Sequence, residues 1–284
     1  MRTLIPVAFL LLVLSFLSTR VQAALRGRRW LKYAVPALLS AAFCLIVGSE
    51  GALNLPLVLS ILVYTFLPAL LAHRTAGGPA WTDLAVVAIL WLPVELAFGA
   101  QWIPRPIQGF VHTVVYGISI TLALWLFLVE RRMTGMKYNL PSGPRDLLYP
   151  LAGYAAVAPV LIPLGLWLGF LAPFHLPARP AAIPARFAVI LLATALPEEI
   201  LFRGLIQNWL MQRFGSTHRV LLAVAVIFGC AHLNNAPGPL PNWRYAILAS
   251  VAGFAYGKVF QKGSSIFSSA LLHAMVNITR HAFF

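Results

Sequence analysis

The chain has 284 residues, 60% of them hydrophobic and only 10% charged. Apolar runs of about 20 residues recur from end to end, which marks a polytopic membrane protein and excludes an ordinary soluble globular fold. Lys and Arg outnumber Asp and Glu by 21 to 7, for a formal charge of +14. The basic residues nevertheless sit in short loops between apolar stretches, with no stripe interleaved with aromatics, so they read as bilayer orientation signals and not as a nucleic-acid surface.

In chain order, ten apolar stretches predict an all-α polytopic transmembrane helical bundle of about ten spans: 4–19, 33–49, 52–72, 80–99, 109–129, 148–170, 185–210, 218–233, 242–260 and 264–283. Proline and glycine clusters such as "TAGGPA", "IPRPIQG", "LPARPAAIP" and "NNAPGPLPN" punctuate the connections. No internal repeat or low-complexity tail is visible. Residues 1–147 form an N-terminal membrane region of about five spans without a motif, and 148–284 hold the residues that carry chemistry.

If the first span runs from outside to inside, the inner loops collect Arg20, Arg26, Arg28, Arg29, Lys32, Arg74, Arg131, Arg132, Lys137, Arg145, Arg213, Arg219, Lys258 and Lys262. The outer loops keep only Arg105, Arg179, Arg186 and Arg244. That asymmetry predicts both termini outside. The opening "MRTLIPVAFLLLVLSFLSTRVQA" also fits a signal peptide, but cleavage at Ala23 would leave the run from Arg26 to Lys32 translocated, against the same rule, so an uncleaved span is expected. Cys44 and Cys230 stand alone in apolar segments and form neither a disulfide framework nor a CxxC metal site.

The stretch "ALPEEILFRG" puts Glu198, Glu199 and Arg203 inside an oily segment, where each charge costs roughly 3 kcal/mol on insertion scales. Glu199 and Arg203 stand at i and i+4 in the favoured order for a helical ion pair. Glu198 points about 100° away from Glu199 and has no basic neighbour at helical spacing, so it needs a partner from another helix, a proton or water. Pro197 removes the donor for the Ala193 carbonyl and predicts a bend on the face where the acid emerges. "FGCAH" sets Phe228 and His232 at i and i+4, and "HAMVN" does the same for His273 and Asn277. One Glu, two His and one Asn on three apolar spans can satisfy one another only by converging. A carboxylate in such a dry cluster, beside a neutral imidazole, can take a proton from water and direct hydroxide at an amide carbonyl, with His273 and Asn277 as oxyanion donors.

Glu95, Asp83 and the tryptophans have plainer readings. Glu95 is expected near an outer interface and Asp83 as an N-terminal helix charge. Trp30, Trp81, Trp102 and Trp243 read as interfacial anchors. Glu198, His232 and His273 would also suit catalytic zinc, but no HExxH is present, and a site without cofactor or metal is the expectation. A proton-relaying transporter would predict repeated halves or paired broken helices, which the sequence lacks, and a non-catalytic scaffold or immunity protein remains the main rival.

The motifs E-E-x-x-x-R ("EEILFR"), F-x-x-x-H ("FGCAH") and H-x-x-x-N ("HAMVN") occur in the order and spacing of the membrane-embedded CAAX prenyl protease and bacteriocin-processing (Abi) family, which residues 148–284 resemble. The resemblance implies a glutamate-type intramembrane peptidase with a protein or peptide substrate, in a bacterial plasma membrane. By matching positions, Glu198 is implied as the water-activating base, His232 as its partner, His273 and Asn277 as oxyanion donors, and Glu199 with Arg203 as a supporting ion pair. Seven residues follow Asn277, so a further C-terminal helix seen in many relatives is expected to be missing.

Overall fold

The computed structural model describes residues 2–73, 78–235 and 239–284, and all regular structure among them is helical. Two compact units divide the chain, Met1–Thr134 and Gly135–Phe284. The first holds α1 (Leu4–Ser15), α2 (Thr19–Leu25), α3 (Leu31–Ser49), α4 (Leu55–His73), α5 (Trp81–Glu95) and α6 (Arg105–Leu124), which runs on through a π-helical end, Trp125–Glu130. The second holds α7 (Arg145–Trp167), α8 (Ile183–Ile190), α9 (Leu196–Glu199), α10 (Asn208–Phe214), α11 (His218–Cys230), α12 (Trp243–Lys262) and α13 (Ile266–Phe283). The π segments Leu191–Ala195 and Ile200–Gln207 join α8, α9 and α10 into one unbroken helical rod, 183–214.

Helix therefore forms at each of the ten apolar stretches. Among the described residues, four helical segments are long and apolar enough to cross a membrane: Leu31–Ser49, Leu55–Ala72, Arg105–Glu130 and Arg145–Trp167. A fifth arises if α1 and α2 count as one bent span. The first stretch differs from a straight span 4–19, because α2 leaves α1 at 88°. The break has a local cause in the polar run Ser18-Thr19-Arg20: Ser18 caps α2 by accepting the Val21 N–H, and Gln22 Nε2 turns back to the Phe16 carbonyl at 2.7 Å. Trp30, Trp81 and Trp243 are exposed at the starts of α3, α5 and α12, whereas Trp102 is half-buried against Phe98.

In the first unit α1 packs against α6. A Cβ placed on Gly117 of α6 would lie 2.6 Å from the Phe9 ring, so the bare glycine backbone is what lets the two helices approach. Asp83 does head α5, accepting the Ala80 N–H at 2.8 Å, but it is buried, because Arg131 grips both carboxylate oxygens at 2.9 Å. Glu95 accepts from Trp91 Nε1 at 3.3 Å. Arg2 donates to Glu50, and this hydrogen bond holds the Glu50 carboxyl below the usual carboxylate range.

In the second unit the segment before α7 clasps the turn between α12 and α13. Lys137 Nζ donates to the carbonyls of Phe260 at 2.7 Å, Gln261 at 3.2 Å and Gly263 at 2.8 Å, a cation at the C-terminus of α12 where the helix dipole favours it. Burial pushes its ammonium down from the ordinary lysine value. The Asp146 carboxylate accepts from Ser142 N at 2.9 Å, Ser264 N at 2.7 Å and Ser268 Oγ at 2.7 Å, so one buried acid fixes the starts of α7 and α13 together.

Gly117→Leu should destabilise the protein by about 1–3 kcal/mol through overpacking against Phe9, read as a lowered unfolding midpoint; an unchanged midpoint would show that α1 yields freely. Asp146→Ala should lower stability by about 1–3 kcal/mol, since it strands the buried Ser268 hydroxyl and two part-buried N–H groups, and equilibrium unfolding in detergent measures it.

Candidate active site

Glu198 and Glu199 lie on the short α-helical stretch of the rod between its two π segments. The backbone remains helical through Pro197, and the widened turn Leu191–Ala195 immediately before the proline takes up the change in hydrogen bonding. His232 lies two residues past the end of α11 in a turn, not inside a helix, with Nδ1 2.8 Å from the Phe228 carbonyl. His273 sits within α13, buried, and Asn277 is half-buried one turn later.

These elements converge on Glu198. Its Oε2 is 4.0 Å from His232 Nε2 and 3.8 Å from His273 Nε2, and that oxygen is buried without a hydrogen-bond partner although the side chain as a whole is 26% exposed. Both separations exceed a direct hydrogen bond and fit a bridging water. The tautomers follow from the outer contacts. The Phe228 carbonyl and the Glu199 carboxylate can only accept, so each imidazole carries its proton on Nδ1, and in the neutral rings both Nε2 atoms face Glu198 as acceptors. Three acceptors around one point call for a donor between them, either water or an added proton.

Glu199 has a wider role than the expected pair with Arg203. One of its oxygens lies 3.2 Å from Arg203 Nε, close enough for an ion pair though not aligned as a hydrogen bond, and the other is 3.0 Å from His273 Nδ1. Both Glu199 and Arg203 are wholly buried. Arg203 Nη2 donates to the Gly253 carbonyl at 2.8 Å, and its guanidinium lies 4.5 Å from the Phe228 ring centre and 5.3 Å from that of Tyr256. The contact from Glu199 to His273 has no local signature, because it joins residues 74 positions apart.

α12 carries site residues that the sequence reading missed. Tyr256 stacks on His273 with centroids 4.6 Å apart, and Tyr245 meets His232 edge to face at 4.5 Å. Tyr245, Ala249, Ala252 and Tyr256 recur at helical spacing, a face that could have been read as turned toward the motif-bearing helices. A cavity of about 70 Å³, room for several waters, opens beside the cluster and is lined by His232, His273, Asn277, Tyr245 and Tyr256. Arg280, one turn beyond Asn277, also lines it, packed 4.3 Å from the Phe170 ring centre and 4.7 Å from that of Tyr245. Among the described residues no group of three His, Cys, Asp or Glu side chains is spaced to hold a metal ion.

Residues 180–279, which take in the rod, α11, α12 and most of α13, match the family model described as Rce1-like, type II CAAX prenyl endopeptidase Rce1-like. Neither a curated protein nor a solved structure matches the chain. With its apolar helices and this match, the chain is an integral membrane protein whose residues 180–279 are similar to the Rce1-like family of CAAX proteases.

Proposed function

We propose that the protein is an intramembrane endopeptidase that hydrolyses a peptide bond near a terminus of a protein or peptide substrate, using water activated by Glu198 and His232. The observation that carries this reading is the buried, unbonded Glu198 Oε2 facing two imidazole Nε2 atoms at 4.0 and 3.8 Å beside a cavity. A water seated there donates to Glu198 and to one imidazole, which orients its lone pair toward the cavity. Glu198 takes the proton as hydroxide attacks the carbonyl carbon, and returns it to the leaving amine.

His273 is read as an oxyanion donor only in its imidazolium form, since its Nδ1 proton is committed to Glu199. The Glu199 carboxylate at Nδ1 fixes the ring so that Nε2 faces the cluster, much as a carboxylate orients histidine in hydrolytic triads. Asn277 supplies the second donor through its amide. Arg280 sets a cation at the same cavity, which suits the carboxylate of a substrate end. The chemistry needs no metal.

The remaining elements of the reading concern the membrane. Residues 1–147 serve as an N-terminal membrane region and 148–284 as the peptidase domain of a ten-span protein in a bacterial plasma membrane, with both termini outside. Shorter helices such as α5 and α11 would complete their crossings with flanking residues and tilt. A scaffold or immunity role is favoured by no contact at the site that catalysis leaves unexplained.

Glu198→Gln should reduce peptide cleavage roughly 10²–10⁴-fold while leaving the unfolding midpoint near wild type, because the side chain is partly exposed and its shape is kept. Full cleavage by a stably folded variant would sink the peptidase reading. Glu199→Gln should differ in kind: it strands the buried Arg203 and lowers stability by about 3–5 kcal/mol, seen in the same unfolding assay. Activity of the purified protein should also survive chelator treatment, and loss that zinc restores would replace the water-and-glutamate mechanism with a metal-assisted one.

A further inference from the structure

A second feature of the Gly135–Phe284 unit lies outside the catalytic cluster and does not depend on the peptidase reading. α7 and α12 leave between them a groove of about 400 Å³. Its walls are made by Ala152, Ala156 and Val160 on α7 and by Val251 and Ala255 on α12, each set at helical spacing so that one small-residue face meets another. The three α7 residues are exposed and the two on α12 half-exposed, so the trough is open along its length.

One end of the groove is charged. Lys258 and Lys262, one turn apart near the end of α12, line that end with Tyr149, and no carboxylate lines any part of it. Lys258 Nζ contacts His218 Nε2 at 3.0 Å, which uses one of its three N–H groups, and Lys262 Nζ stands 5.9 Å from the Tyr149 ring centre. Both ammonium groups are therefore available to an anion. The loop charges put this end on the inner side, where anionic lipids concentrate.

The length is also informative. From Tyr149 to Val160 the α7 helix rises about 16 Å, close to half of a hydrocarbon core of roughly 30 Å. The trough thus has the length of one acyl chain in one leaflet, with its cations at the depth of the headgroup. We propose that this groove is a binding site for an anionic phospholipid of the inner leaflet, one acyl chain lying along α7 and α12 and the phosphate held by Lys258 and Lys262.

The test uses the purified full chain in a neutral detergent and reads its unfolding midpoint against added phosphatidylglycerol, phosphatidylcholine of the same acyl chains, and inorganic phosphate alone. Phosphatidylglycerol should raise the midpoint, and the other two should not. The double variant Lys258→Ala with Lys262→Ala should weaken the apparent affinity for phosphatidylglycerol about tenfold or more, whereas Lys258→Arg with Lys262→Arg keeps it. Ala156→Trp, which fills the trough and leaves the lysines, should abolish the shift. Equal shifts from the two lipids, a shift from phosphate alone, or an unchanged shift in the alanine double variant or in Ala156→Trp would each overturn the proposal. Should Ala156→Trp fail to fold, the two lysine variants decide.

Discussion

The contact on which the candidate site depends is the wholly buried pair of Glu199 and Arg203. Two charges at this depth are tolerable only if each keeps the other and if nearby dipoles take up their remaining hydrogen-bonding capacity. Their partners come from three other helices: the Phe228 ring of α11, the Gly253 carbonyl and Tyr256 ring of α12, and His273 of α13. One ion pair thus gathers the helices around the rod. Glu198 gains its position from that assembly through adjacency in the chain, and faces the two imidazoles across 4.0 and 3.8 Å.

Partnership between the rod and α12 continues below the pair. Glu199, Arg203 and Gln207 follow one another at four-residue steps, and across from them Gly253 and Gly257 do the same. Arg203 and Gln207 each donate to the facing glycine carbonyl, Gln207 Nε2 reaching Gly257 at 3.0 Å. A Cβ at Gly257 would lie 2.7 Å from Gln207 Oε1, so only a glycine backbone accepts the amide so closely. Arg203 Nη2 and Gln207 Nε2 thus meet backbone exposed through missing side chains, and small residues commonly bring membrane helices together in this way.

What the sequence made legible follows the range of each signal. Apolar run length located helix at all ten stretches, because hydrophobicity and helical periodicity are local properties. The i, i+4 pair of Glu199 and Arg203 was readable for the same reason, and so was the need of Glu198 for a distant partner. The bend between α1 and α2 was hidden because Ser18 and Thr19 sit within an otherwise continuous apolar average. Glu199 meeting His273, and Tyr256 stacking on that ring, depend on how α12 and α13 pack, which no spacing within either segment encodes. The π turns around Pro197 were likewise invisible, since their residues have no composition that separates them from an ordinary apolar helix.

The facing rows of donors and glycine carbonyls have a mechanical consequence. Sliding the rod against α12 by a single residue would withdraw both carbonyls from their donors at once and drive side chains into the space the glycines keep clear, so shear along that seam is costly. α7 borders the cavity from the other side through Tyr154, whose hydroxyl meets Thr279 at 2.6 Å, and its interior prolines Pro159 and Pro163 leave backbone carbonyls without helical donors. The cavity is therefore bounded by a wall that resists shear, the seam of the rod and α12, and by one with fewer helical hydrogen bonds, α7.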